Sequence, residues 1–141
     1  MLNKYDFFIL HLVVKISPKV KRIADSLVGD IKKWKELQAV YLFGSQAKGR
    51  PTPLSDIDIA VMVKPSKNLK EIEADIGSSS SPTVDVVPFH RLPLYIQFEV
   101  FKYGKAIYVR YKAALLDLKI RVLPEYLDNS YLYERLKQRA R

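Results

Sequence analysis

Ten residues separate a Gly-Ser pair, Gly44-Ser45, from the acids of an Asp-Ile-Asp in the segment GSQAKGRPTPLSDIDIAVMV, and both ends adjoin β-forming sequence. On one side AVYLF, 39–43, is a short apolar run that reads as a buried strand entering a tight turn at Gly44. On the other, Ile57 to Val63 reads as a second strand, and the glycine and prolines of GRPTPLS exclude regular structure between the two. Side chains at i and i+2 of a strand share a face, so Asp56 and Asp58 stand side by side while Ile57, Ile59 and Val61 face the opposite way. Two neighbouring anions repel unless cations sit between them, and hard divalent ions with oxygen ligands suit the pair. Magnesium takes one or two protein carboxylates and completes its shell with water and phosphate oxygens, which fits an open Asp-x-Asp better than a closed cage.

A third acid, Asp85, stands alone in the apolar run TVDVV, which predicts a third strand over 83–87 ending at Pro88. If that strand neighbours the one bearing Asp56 and Asp58, the three carboxylates converge as two-metal phosphoryl transfer requires; otherwise Asp85 is a strand acid paired to a nearby cation. At the turn, Gly44 lets backbone approach an anion closely, Ser45 offers a hydroxyl and an amide, and a short helix from Ser45 aims its N-terminus at phosphate, with Lys48 and Arg50 adding charge. Taken alone, a Gly-Ser pair is weak evidence. Joined to two acids at a fixed spacing, it is expected by accident in only on the order of one in a thousand chains of this length.

The remaining chain supplies the frame. Ser17 is placed to cap a helix with Pro18 in its first turn and Val20, Ile23, Leu27, Ile31 and Trp34 along its apolar stripe. Residues 69–76 predict a short helix, GSSSSP reads as a flexible loop, and LPLYIQFEVFKYG predicts a helix closed by Gly104, the residue type preferred just past a helix end. Residues 106–109 read as a fourth strand, and from Tyr111 onward leucines and tyrosines recur at helical spacing, interrupted at Pro124. This divides the 141 residues into an N-terminal stretch, 1–16, of no assigned role, a core, 17–110, and a helical C-terminal extension, 111–141. Without cysteine the chain has no disulfide, zinc ribbon or thiol nucleophile. Its longest apolar stretch, Phe7 to Val14, contains His11 and falls far short of the roughly 20 residues that span a bilayer. No small-residue cleavage site follows it, and a cytoplasmic location is expected.

The net charge of +9 is uneven, with +6 over residues 1–50, −3 over 51–100 and +6 over 101–141. An acidic middle between basic ends suits a carboxylate metal site flanked by surfaces that attract phosphate or an acidic protein, although solvated helix faces explain the C-terminal cluster equally well. Arg135, Lys137, Arg139 and Arg141 lend slight support to phosphate-backbone binding, but only Tyr131 and Tyr133 lie nearby for base stacking, so nucleic acid is not the favoured partner. His11 and His90 sit at no recognisable spacing from the acids and are read as structural, as is Trp34.

The string GSQAKG…SDIDIAV, followed by the isolated acid in VDVV, resembles the signature of the nucleotidyltransferase fold shared with DNA polymerase beta. The resemblance implies an α/β (α+β) core with a short mixed sheet flanked by helices, two magnesium ions (or manganese) and transfer of a nucleoside monophosphate with loss of pyrophosphate. It further implies that Asp56 and Asp58 ligate both metals, that Asp85 ligates the catalytic one, and that Gly44, Ser45 and Lys48 form the triphosphate end. Lys48 stands where the family more often has arginine, which keeps the charge and loses the bidentate fork. The general signature covers about residues 37–87. A softer likeness, carried by PLYIQFEVFKYGKAIYVR and reaching roughly residue 128, is to minimal nucleotidyltransferases of the MntA antitoxin type. That likeness implies ATP as AMP donor, a tyrosine of a partner HEPN RNase toxin as acceptor, and a hetero-oligomer with that toxin. Two alternatives stay open: transfer to a small molecule or an RNA end, and an idle module that inhibits a toxin by covering it.

Overall fold

The computed structural model describes residues 16–48 and 56–123. Helix α1, Pro18–Ile31, starts where Ser17 caps it, the hydroxyl oxygen accepting from the Val20 amide at 3.3 Å, with Pro18 in the first turn where no partner for its nitrogen is needed. It turns Val20, Ala24, Leu27, Val28 and Ile31 inward, and each large aliphatic so buried contributes roughly 1.5–3 kcal/mol. The stripe predicted from periodicity runs one step too far. Trp34 lies beyond the helix, yet packs against the same core and donates its indole N–H to Asp75 at 2.6 Å.

Four strands form one mixed sheet among the described residues: β1, Leu37–Phe43; β2, Ile57–Val63; β3, Val84–Pro88; and β4, Lys105–Val109. Their order is β3-β2-β1-β4, with β1 antiparallel to both β2 and β4 and β2 parallel to β3, so β3 and β4 are the edges. The parallel pair requires a crossover, which α3, Leu69–Ser78, supplies. A single helical turn, α2, Gly44–Ala47, follows β1; after β3 come a 3-10 turn, Phe89–Arg91, and α4, Leu94–Tyr103. Residues 112–123 are helical and are called α5.

Alternation along the strands divides the core. Val40 and Leu42 of β1, Ile57, Ile59 and Val61 of β2 and Val84 and Val86 of β3 pack with α1 and α3 on one face. Ala39, Tyr41, Ala60 and Met62 pack on the other with Phe89, Val100, Phe101, Leu115 and Val122, from the 3-10 turn, α4 and α5. Phe101 meets the Tyr41 ring edge-on at 5.8 Å and the Phe89 ring at 5.0 Å.

Three expectations need correction. The GSSSSP segment is not a flexible loop: Gly77 and Ser78 finish α3, and the Ser80 hydroxyl accepts from the Val86 amide at 2.9 Å and donates to the Val86 carbonyl at 3.3 Å. Gly104 does follow α4, but its φ of −68° is open to any residue, so left-handed capping is not the reason for a glycine. A side chain there would collide with the Val100 carbonyl and come within 3.0 Å of the Leu42 carbonyl, so glycine lets α4 end tight against β1. The turn helix begins at Gly44 rather than Ser45.

Arg110, just past β4, binds the end of α1 from across the molecule. Its guanidinium donates to the Lys32 carbonyl, at the end of the helix, at 2.5 Å and to the Trp34 carbonyl, which also accepts from the Leu37 amide, at 2.8 Å. His11, Arg50, the basic residues from Arg135 onward, and all of 1–15 and 124–141 lie outside the described residues. No helix among the described residues is long and apolar enough to cross a membrane.

Candidate active site

The strand register brings the predicted residues together at one end of the sheet. Asp58 and Asp85 are direct partners in the parallel β2/β3 pair, and Phe43, the last residue of β1, is the partner of Asp58 on its other side. Because Ile57, Ile59, Val84 and Val86 face the α1/α3 core, Asp58 and Asp85 project from the face that carries α4. Asp56, one residue before β2, is exposed, as is Asp85, whereas Asp58 is partly buried.

Gly44 follows Phe43 and so leaves the sheet beside Asp58. Its φ of +72° is the only positive value among the described residues. A side chain at this position would run into the Asp58 carboxylate, so a bare backbone is required on two counts. From there α2 rises for one turn, and the Lys48 amide closes it on the Gly44 carbonyl at 3.1 Å. A single turn aligns few peptide dipoles, so what this corner offers an anion is the local amides, the Ser45 hydroxyl and Lys48 rather than a helix field.

Burial pushes the Asp58 carboxyl up to about 6, and the negative charges of Asp85 and then Asp56 push in the same direction. Asp58 therefore feels both neighbouring acids. Among the described residues no three acidic or histidine side chains are grouped so as to hold a metal ion by themselves. Mutual repulsion between carboxylates and the open coordination of magnesium, which reserves positions for phosphate and water, both disfavour such a cage. The donor set of hard oxygens on adjacent strands, with Asp58 crowded by negative charge, fits divalent magnesium or manganese.

Lys48 does not stand free beside the acids. Its ammonium lies 3.8 Å from the Glu99 carboxylate and 5.0 Å from the centre of the Tyr103 ring, both on α4. Sequence reasoning passed over these two. Their i, i+4 spacing places them on one face of α4, but nothing in the spacing says that this face meets α2. His90, read from the sequence as structural, has its Nε2 3.0 Å from Glu73 Oε1. A cavity of about 970 Å³ lies at the far end of β2, against Met62, Lys64, Phe89 and Arg121, and takes no part in this site.

Residues 27–113 match the family model described as polymerase beta, nucleotidyltransferase. The chain belongs to this nucleotidyltransferase family. Among characterised sequences it is similar to the "Putative protein adenylyltransferase MJ1547" of Methanocaldococcus jannaschii, at 36% identity over 69 residues, or 49% of this chain. The matched stretch spans only about half, 53%, of that relative's length. Among solved structures it is similar to a chain of a toxin-antitoxin crystallised with AMP-PNP, with a TM-score of 0.60 and 23% identity over 85% of this chain and 97% of that one. It is also similar to a chain of the complex of a tri-AMPylated Shewanella oneidensis HEPN toxin with an MNT antitoxin, with a TM-score of 0.55 and 20% identity over 86% and 96%. At these identities the two structures establish a shared fold.

Proposed function

We propose that this chain is a magnesium-dependent protein adenylyltransferase that moves AMP from ATP to a tyrosine hydroxyl of a HEPN-type toxin in the cytoplasm, silencing the toxin as its antitoxin. The observation that carries the reading is the in-register pairing of Asp58 with Asp85 beside the bare backbone of Gly44. Residues 17–110 are read as the catalytic unit and 111–141 as its C-terminal extension.

Asp56, Asp58 and Asp85 would hold two magnesium or manganese ions, whose charge offsets that of the triphosphate and lowers the pKa of the attacking hydroxyl. Gly44 and Ser45 receive phosphate oxygens on backbone amides and a hydroxyl, and Lys48 adds a point charge. The acceptor oxygen bonds to the α-phosphorus in line with the bridging oxygen. The bond from that phosphorus to the bridging oxygen breaks, and pyrophosphate departs with the electron pair. Asp85, on the edge strand, takes the phenolic proton or aligns the hydroxyl that loses it in this reading. Similarity to chains from toxin complexes supports the choice of a protein acceptor.

Incubating the purified chain with MgATP and a HEPN-type toxin should add the mass of AMP to a toxin tyrosine, and EDTA or Asp58→Asn with Asp85→Asn should abolish the addition. An unmodified toxin would refute the reading. Transfer to an RNA end or a small molecule in the same assay would move the acceptor, and protection by the double variant would make covering alone sufficient.

A further inference from the structure

We infer that Glu99 and Tyr103 are positioning residues for the nucleotide, holding the Lys48 ammonium over the Gly44 corner so that it is in place before the triphosphate arrives. The inference rests on the proposed function for its ligand, ATP, and on geometry for the rest.

A lysine stem has four rotatable carbons, and fixing it at the moment of binding costs affinity. Here the fixing is done in advance from three directions. The backbone of Lys48 is tied by its amide to Gly44, its ammonium is 3.8 Å from Glu99, and the Tyr103 ring lies 5.0 Å below it. Lys102 flanks the same ring at 5.1 Å, so Tyr103 holds two ammonium groups near one corner of the site.

The support is rigid because of Gly104. That glycine permits the last turn of α4 to lie against the Leu42 carbonyl of β1, one residue before Phe43, the partner of Asp58. Glu99 and Tyr103 are therefore indexed to the carboxylate row through β1 rather than through a loop. With side-chain exposures of 39% for Lys48 and 28% for Glu99, and a separation near the limit for an ion pair, the contact adds little to fold stability. Its worth lies in where it leaves the positive charge.

The test is the dissociation constant for MgATP, read by titration calorimetry without any acceptor, together with the KM and kcat for AMP transfer. Glu99→Gln and Tyr103→Leu should each weaken MgATP binding and raise KM roughly three- to tenfold, with kcat within twofold and thermal midpoint unchanged. Tyr103→Phe keeps the ring face and should restore wild-type affinity. In a Lys48→Ala background Glu99→Gln should have no further effect on MgATP affinity, because its effect on the nucleotide is relayed by that ammonium.

Unchanged affinity in Glu99→Gln would overturn the inference. So would tighter binding, which would make Glu99 a competitor of phosphate for Lys48, and so would additive effects in the double variant. A chain that binds MgATP with these dependences yet modifies no toxin would leave the inference standing and remove the proposed acceptor. A wild-type chain that does not bind MgATP would remove both.

Discussion

The backbone of Gly44 and the carboxylate of Asp58 are packed so closely that the space for a Cβ on residue 44 is already taken by Asp58. Gly44→Ala must therefore either twist back from φ +72° or push Asp58 away from Asp85. It should destabilise the chain by about 1–3 kcal/mol and abolish nucleotide transfer, as urea unfolding and a labelled-ATP assay would measure. Full transfer activity in Gly44→Ala would show that Asp58 tolerates displacement.

Asp58 is held in the fold against its own charge. A carboxyl raised to about 6 in the folded chain and near 3.8 when unfolded binds more protons folded, so stability falls as pH rises from about 4 to 6 and stays reduced above that. In EDTA at pH 7.5, Asp58→Asn should raise stability by about 2 kcal/mol, the shift being discounted for partial exposure, and should flatten the slope between pH 4 and 6. Magnesium should stabilise the wild type and not the variant. An Asp58→Asn chain with unchanged stability and slope would remove the electrostatic account.

Arg110 bridges the two carbonyls where α1 ends, and a planar fork is what reaches both. Arg110→Ala should cost about 2 kcal/mol in urea unfolding. Arg110→Lys should recover less than half of that, because one ammonium cannot reproduce the paired donors. Equal stability of the lysine variant and wild type would show that charge alone suffices.

Ser17 should be worth about 1 kcal/mol as the cap of α1. Ser17→Ala should lose that amount and Ser17→Asp should retain it, by thermal unfolding at constant pH. Loss in both variants would place the contribution elsewhere than in the bond to Val20.

Much of this architecture can be read along the chain because local chemistry and tertiary packing agree. The Ser17-Pro18 start, the strand at 57–63 and the acid at Asp85 follow from capping, alternation and a lone charge among valines, and the structure places them accordingly. β1 starts two residues earlier than the apolar run suggested, at Leu37, because a bulge between Leu37 and Ala39 lets the strand keep pairing with β2 across Gln38. Trp34 kept the helical period without being helical, since a ring reaching back to the core mimics one more turn. What composition could not reveal is pairing at a distance: the hold of Ser80 on Val86, the Arg110 fork across the molecule, and the face of α4 that meets Lys48.

The hold of Ser80 on Val86 also guards the rim of the sheet. β3 is an outermost strand, and the serine hydroxyl occupies both backbone groups of Val86 that a foreign strand would seek, next to the acid whose register partner is Asp58. Replacing Ser80 with alanine would leave that main-chain pair open to recruitment by a neighbouring molecule. Protection of this stretch of the sheet rim, one residue from Asp85, thus rests on one small side chain.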